Sequence, residues 1–300
     1  MLLHDILFML GKIKKGIKRA YTLHKVFGVS YITILMSLPN NHNITVPING
    51  IQNKMRVRTA MYLSEDLYEI ERAGWKIKND TGNNSVIFEN GKIRLYADSI
   101  FYADTINEIF IKEIYKANVK DKVVIDVGAY FGESSIYFAL QGAKKVIALE
   151  PDEESYKIAL RNIKENGLEN KITLLNKAIS PTRGIVNYYR TNSAGTSSTA
   201  YDQMIRKDEV IVKKQVEAIT LDEIIANEGE IGLLKMDCEG CEYSVLNSFS
   251  HFDKTDEIVL EYHKGLQNLP SLLKSYGFVV TVKKERGNRL GILKAKKRVN

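Results

Sequence analysis

From residue 122 onward, short apolar runs alternate with segments whose apolar positions recur at helical spacing. Residues 123–126 (Val-Val-Ile-Asp) read as a buried strand, followed by a glycine-containing turn and a helix over 133–141 that Gly142 closes. Residues 145–150 form the next strand. Asp152 then caps a helix whose inner face takes Tyr156, either Ala159 or Leu160, and Ile163, with Gly167 ending it. Further strands are expected at 172–175, 232–236, 257–262, 278–282 and 291–295, the last two as an antiparallel hairpin across a short basic turn. Strands alternating with helices in this way predict an α/β fold, a mostly parallel sheet with helices on both faces.

The first 117 residues have a different texture. Leu3, Ile6, Leu7, Leu10, Ile13 and Ile17 repeat at helical spacing with lysines between them. The expectation is a helix packed on the body of the protein, because apolar-and-lysine helices are common on surfaces. The alternative is a basic amphipathic helix in peripheral contact with an anionic membrane. The charges follow the apolar residues and no small-residue cleavage site occurs, which is not the layout of a secretory signal. The sequons at Asn43, Asn79 and Asn83 therefore carry little weight. Residues 44–100 are strand-like: 44–50 and 54–58 as short strands, and 85–95 as a hairpin around Asn90-Gly91. A helix over 105–117 leads out. The expected division is a basic amphipathic segment at 1–38, a small α+β extension at 39–117, and the α/β domain at 118–300.

Composition narrows the function classes. With 44% hydrophobic and 26% charged residues the chain is an ordinary globular sequence. No apolar run approaches the roughly 20 residues of a membrane-spanning helix. The formal charge of +7 is unevenly placed. Residues 1–30 carry a net +5 and residues 283–300 a net +7, so the 252 residues between them carry −5. A mildly acidic body argues against a polyanionic substrate, and no nucleic-acid partner is expected. Two cysteines cannot build a disulfide framework, which is consistent with a reducing, cytoplasmic location.

In a sheet of this kind, ligands sit at the carboxyl ends of the strands where strand order reverses. The residues at those ends are Asp126, Glu150, Asn176 to Ala178, Asp237 with Glu239, and Glu261 with His263. Polar or acidic groups at consecutive strand ends form the most informative pattern in the chain. The turn Asp126-Val-Gly-Ala-Tyr-Phe-Gly132 lets a ligand approach the backbone closely. It is neither Gly-x-Gly-x-x-Gly nor a phosphate-binding loop with Lys-Ser/Thr, so a polyphosphate is not the expected ligand. Glu150, about two dozen residues after the turn begins, suits an acceptor for ribose hydroxyls.

Several motifs carry a family resemblance. They are Val124-Ile-Asp-Val-Gly-Ala-Tyr-Phe-Gly-Glu133, Ala148-Leu-Glu-Pro-Asp152, Asn176-Lys-Ala-Ile-Ser180, Thr220-Leu-Asp222 and Leu234-Lys-Met-Asp-Cys-Glu-Gly-Cys-Glu242. Taken in order, they resemble the FkbM family of S-adenosylmethionine-dependent methyltransferases. The resemblance runs over residues 123–278, and the Lys-x-Asp-x-Glu-Gly-x-Glu block is its most specific part. It implies a Rossmann-like class I methyltransferase fold with a seven-stranded sheet, S-adenosylmethionine as cofactor, and O-methylation of a hydroxyl on a sugar, glycan or related metabolite. By that resemblance Gly128, Ala129 and Gly132, with Glu133, line the methionine part of the cofactor. Asp126 orders the turn or holds the cofactor ammonium. Glu150 with Pro151 takes the ribose, Asn176 and Ala178 flank the adenine, and Asp237 faces the reacting centre. A cationic sulfonium cofactor matches acidic strand ends. One departure is Tyr130, which stands where the family usually has Asn.

Alternatives of other classes are a nicotinamide-dependent oxidoreductase, which shares a glycine turn and a ribose carboxylate, and a non-catalytic cofactor-binding module. The missing middle glycine disfavours the former. The fourth strand ends in Met236-Asp-Cys-Glu239 instead of an Asn/Asp-Pro-Pro-Tyr/Phe block, which favours oxygen over nitrogen as the acceptor. A hydroxyl then needs a proton acceptor. The catalytic candidates are Asp237, Glu239 and His263, with Glu242 ranked last as a helix-capping residue. Two carboxylates alone make a poor Mg²⁺ site, so no metal is assigned. Cys238 and Cys241 have a Cys-x-x-Cys spacing, but with no second pair the expectation is two small residues beside the acidic block, not a zinc or redox centre. Residues 193–199 (Ser-Ala-Gly-Thr-Ser-Ser-Thr) read equally as a plain loop or a lid over substrate.

Overall fold

Val124, Ile125, Val127, Val146, Ile147 and Leu149 are all buried. Neighbouring strands buried on both faces are the mark of a parallel sheet covered by helices. A computed structural model describes residues 2–48, 51–80, 85–191, 197–198, 210–286 and 289–298. The chain divides into two compact units, Met1–Lys112 and Glu113–Asn300.

The first unit begins with helices α1 (Leu2–Phe27) and α2 (Tyr31–Ser37), then pairs β1 (Asn43–Ile48) with β2 (Ile51–Arg56) antiparallel. Helix α3 (Val57–Arg72) comes directly after and buries Val57, Ala60, Met61, Leu63, Leu67 and Ile70. The strand-like reading of residues 44–100 holds except over α3, which it did not include. Strand character is interrupted between Arg56 and Lys76, where the three-to-four spacing of those apolar residues is helical. Strands β3 (Lys76–Asp80), β4 (Ser85–Glu89) and β5 (Arg94–Ala97) make an antiparallel sheet. The expected hairpin joins β4 to β5, where Gly91 takes φ +81° and the Asn90 side-chain oxygen accepts from the amides of Lys92 and Ile93. The helix expected over 105–117 is instead α4 (Ala103–Ile106) continued by a wide turn over Asn107–Ile111, and Glu113 at φ +48° marks its end. Among the described residues, no helix is long and apolar enough to cross a membrane.

The second unit holds the seven-stranded sheet. Its members are β6 (Val123–Val127), β7 (Lys145–Leu149), β8 (Ile172–Leu175), β13 (Leu233–Met236), β14 (Glu257–Tyr262), β15 (Phe278–Arg286) and β16 (Leu290–Lys297). Their spatial order is β15-β16-β14-β13-β6-β7-β8. β16 runs antiparallel between β14 and β15, which gives the C-terminal hairpin expected from the sequence. Helices α5 (Glu133–Leu140), α6 (Glu153–Glu165), α7 (Leu221–Glu228), α8 (Glu242–Ser248) and α9 (Leu269–Ser275) connect the strands. On α6 the inner face takes Ala159 and Ile163, while Leu160 points to solvent. A second sheet, not foreseen as such, orders β11 (Ser197–Ser198), β10 (Gly184–Thr191), β12 (Val210–Ile219) and β9 (Ala178–Ile179). Of the 193–199 loop, only residues 197–198 fall among the described residues.

Helix α7 starts in a capping box, in which the Thr220 hydroxyl accepts from the Glu223 amide and the Glu223 carboxylate accepts from the Thr220 amide. This places Leu221, Ile224 and Ile225 in the core. Thr220→Ala should lower unfolding free energy by about 1 kcal/mol with an unchanged urea m-value. A midpoint equal to wild type would show that packing alone holds this helix start.

Candidate active site

Strand β6 lies between β7 and β13, and chain order departs from it in both directions. The crevice at its carboxyl end is therefore the topological switch point of the sheet. The turn after β6 is built from backbone contacts. The Leu149 carbonyl accepts the amides of Gly128 and Ala129, each at 3.0 Å. Gly128 is held at φ +76°, and a Cβ there would stand 1.9 Å from the Asp237 carbonyl oxygen. Glycine is therefore required where the β6 turn meets the end of β13. Tyr130 also takes a left-handed conformation, at φ +50°. Asn tolerates that region far more readily than an aromatic residue does, so Tyr130 holds its conformation at a cost that Asn would largely avoid.

Glu150 secures that conformation. It is almost fully buried, and its carboxylate accepts the Tyr130 amide at 2.9 Å and the Asp152 amide at 2.8 Å. Burial pushes its pKa up to about 8 against the lowering effect of the Asp152 amide. The Asn176 side-chain amide donates to the carbonyls of Glu150 and Pro151 at 2.9 and 3.2 Å, so Asn176 ties the ends of β7 and β8 together. Ala178 is buried in β9 and pairs with Ala218 of the second sheet.

Beneath the turn lies a buried ion pair. Lys235, the polar member of the buried strand β13, places its ammonium 3.0 Å from Asp126 Oδ1 and donates to the Gly128 carbonyl at 2.7 Å. Asp126 Oδ2 accepts from the hydroxyls of Ser134 and Ser135 at 2.7 and 2.5 Å. Asp126 thus orders the turn through its serine bonds and its ion pair, although its Oδ1 accepts no hydrogen bond, and of its two expected roles the geometry favours the ordering one. Burial would depress the Lys235 pKa, but Asp126, Asp237 and Glu133 together hold it above its ordinary value. Glu133, at the first position of α5, is buried, and its Oε2 has no hydrogen-bond partner. Burial pushes its pKa well above the carboxylate range, with Lys235 opposing.

A second cluster sits at the ends of β13 and β14. His263 Nε2 lies 3.6 Å from Asp237 Oδ1 and 3.4 Å from Glu239 Oε2. Its Nδ1 lies 3.2 Å from Glu242 Oε1, which also accepts the Cys238 amide at 3.1 Å. Glu242 is therefore more than a helix cap: fully buried, it turns the imidazole so that Nε2 faces the other carboxylates. The Tyr115 hydroxyl donates to Asp237 Oδ2 at 2.8 Å. Glu239 stands at φ +56°, a strained conformation for a non-glycine residue, next to Gly240 at φ +113°. Burial pushes the Glu239 pKa up to about 8. Burial would lower that of His263, but Glu242, Glu239 and Asp237 raise it to about 10. Asp237, Glu239 and His263 each offer a ligand atom within 4.8 Å of the others, close enough to share a cation.

Cys238 and Cys241 are joined by a disulfide, with Cα atoms 5.5 Å apart. This corrects the expectation of two unlinked small residues. The tight turn at Gly240 brings the pair within bridging distance. It also removes the support that unpaired thiols would lend to a cytoplasmic location.

The residues expected from sequence thus fall into two groups. Asp126, Gly128, Ala129, Gly132, Glu133, Glu150, Pro151 and Asn176 surround the turns after β6 and β7, and Asp237, Glu239 and His263 converge after β13 and β14. Sequence reasoning missed Lys235, Tyr115 and the orienting part of Glu242. A lysine inside the otherwise apolar run Leu233-Leu-Lys-Met236 was a readable signal for the first, whereas nothing local marked Tyr115.

A family model described as the methyltransferase FkbM domain matches residues 126–285. A solved FkbM methyltransferase from Methylobacillus flagellatus is 13% identical, with a TM-score of 0.42, covering 78% of this chain and 60% of that one. The M. capricolum TrmK structure with S-adenosylhomocysteine is 14% identical, with a TM-score of 0.40, covering 62% of this chain and 66% of that one. Among curated proteins, ribosomal protein L11 methyltransferase of Carboxydothermus hydrogenoformans is 48% identical over 54 residues, which is 18% of each chain. Uncharacterized protein 158B of Sulfolobus islandicus rod-shaped virus 1 is 26% identical over 167 residues, 55% of this chain and 77% of that protein.

Removing one member of a buried ion pair leaves an uncompensated charge, at a cost of about 3–5 kcal/mol. Lys235→Met should therefore lose stability on that scale in chemical denaturation, because Asp126 would keep only its serine partners. A loss under about 1 kcal/mol, the worth of a single neutral hydrogen bond, would show that the serines suffice.

Proposed function

The chain belongs to the FkbM methyltransferase family, and from that premise we propose that it transfers a methyl group from S-adenosylmethionine to a hydroxyl of a sugar, glycan or related metabolite. The observation that carries this reading is the convergence of His263 Nε2 on Asp237 and Glu239 beside the switch point. The family match leaves the nicotinamide-dependent alternative without support.

The residues present fit the cofactor. Its amino-acid end carries an ammonium, and the orphaned Glu133 Oε2 beside the Gly128 turn is a buried acceptor awaiting a cationic donor. Each Glu150 oxygen accepts one amide and keeps a second lone pair, which suits a ribose hydroxyl. Asn176 follows the end of β8 and Ala178 opens β9 two residues later, beside which the adenine would lie. When bound, S-adenosylmethionine supplies an electrophilic methyl group on a sulfonium.

The chain's own residues then have to align the acceptor and take its proton. Asp237, fixed by the Tyr115 hydroxyl, faces the reacting centre and places the donor and acceptor. His263, its pKa raised to about 10, carries a proton at neutral pH and stabilises the carboxylates around it. That leaves Glu239 as the base. A pKa of about 8 gives it more basicity than an exposed carboxylate while it remains partly ionised near neutrality. The acidic body of the chain favours an uncharged hydroxyl acceptor over a polyanion.

Methyl transfer should rise with pH through about 8 as Glu239 ionises, and fall above about 10 as His263 loses its proton. Glu239→Gln, which keeps the shape and removes the base, should lower turnover by about 10²–10⁴-fold and abolish the lower limb. Radiolabelled methyl transfer to a glycan and metabolite panel, with RNA as a control acceptor, reads both. Chelation by EDTA should leave the rate unchanged. Activity that disappears with EDTA and returns with Mg²⁺ would replace the base with a metal-bound hydroxyl, and transfer to RNA alone would overturn the acceptor class.

A further inference from the structure

The α1–α2 corner of the first unit presents a surface that the fold does not explain. Helix α1 packs through Thr22, Leu23 and Phe27, all buried, mainly against α3 and to a smaller extent against α2 and β1. Ile13, Ile17 and Tyr21 succeed one another a turn apart and are exposed. The chain turns at Gly28, and the His24 ring stacks on the Tyr31 ring with centroids 4.6 Å apart, so the exposed stripe of α1 leads directly into α2. There Ile34 is buried beneath the helix, while Ile32, Leu35 and Met36 are 71%, 68% and 76% exposed. Helix α2 thus presents more large apolar surface to solvent than it buries.

Charge selects what covers this face. Lys18 and Arg19 are engaged by Glu69 and Glu65 of α3. Lys14, Lys15 and Lys25 are exposed on the same helix as the apolar stripe. Residues 13–37 contain no acidic side chain. A second copy docking isologously would oppose like charges across the interface, which argues against self-association. An apolar strip flanked by lysines is the pattern of a helix lying in the plane of a bilayer, its apolar side chains among the acyl chains and its lysine stems reaching up to anionic headgroups.

We infer that α1 and α2 form a peripheral docking surface for anionic lipid bilayers, with Ile32, Leu35 and Met36 inserting and Lys14, Lys15 and Lys25 contacting headgroups. Flotation of the full chain with vesicles of phosphatidylcholine alone, or of phosphatidylcholine and phosphatidylserine, tests it. Binding should require phosphatidylserine and weaken as salt is raised. Each of Lys14→Ala, Lys15→Ala and Lys25→Ala should weaken it roughly fivefold. Ile32→Asp combined with Leu35→Asp should abolish it. Because those positions are exposed, thermal unfolding and S-adenosylmethionine affinity should match wild type, which separates this result from a folding defect and from any failure of the methyltransferase reading. Equal binding to both vesicle types, no binding at low salt, or full binding by the Ile32/Leu35 variant would overturn the inference. So would a solution dimer that this variant dissociates, since the face would then belong to a second copy of the chain.

Discussion

A charged ammonium sealed between two parallel strands is the constraint on which the rest of the site depends. Lys235 is buried on β13, beside β6, the strand from which chain order departs in both directions. Desolvating such a group costs several kcal/mol unless its donors are matched. Here they reach Asp126 and the carbonyls of Val127 and Gly128. Those carbonyls belong to the residues at which β6 stops being a strand. The lysine therefore fixes where the strand ends and how the turn leaves it, and Asp126 carries the order onward through Ser134 and Ser135 into α5.

The same strand delivers the second cluster. One residue beyond the end of β13, Asp237 donates its amide to the Val127 carbonyl, and its own carbonyl lies where a Gly128 side chain would have to be. The turn after β6 and the carboxylate cluster are thus two sides of a single backbone contact. The backbone beyond Asp237 is strained: Glu239 is held left-handed inside the ring closed by Cys238 and Cys241. Strain of this kind persists where surrounding structure over-determines it. The disulfide, the Cys238 amide on Glu242 and the imidazole on that same Glu242 oxygen supply the determination.

How much of this was legible in the sequence depended on whether a residue's role was local. The strands and their carboxyl-end residues could be read because a buried parallel strand is a short apolar run and its end is marked by the first acid. The Asp152 cap of α6 was legible because its partner, the Ser155 amide, lies three residues away. Helix α3 was not, since short β-prone stretches on either side of it set the expected rhythm and its own periodicity went unread. Strand β12 failed differently: Val-Lys-Lys-Gln-Val-Glu alternates only loosely, and its partner β9 lies more than thirty residues upstream. The cysteines read as two small residues because no second pair accompanied them, although the glycine between them already permitted a local bridge. Tyr115 has no local signature, because its partner Asp237 is 122 residues away.

Glu150 illustrates why a strand-end carboxylate is hard to assign from spacing alone. Its position suits a ribose acceptor, yet in the folded chain both oxygens are already receiving backbone amides, one of them from the left-handed Tyr130. An L-residue in that conformation costs about 1–2 kcal/mol, and the amide that Tyr130 donates offsets part of that cost. Tyr130 and Glu150 are thus coupled: the turn holds its shape because the carboxylate is there, and the carboxylate stays buried because the turn supplies its donors. A ligand hydroxyl arriving at the remaining lone pairs would meet an acceptor already oriented, without a side-chain rotation to complete first. Preorganisation of this sort concentrates recognition in the backbone of the turn, so Tyr130 serves the turn through its amide and not through its ring.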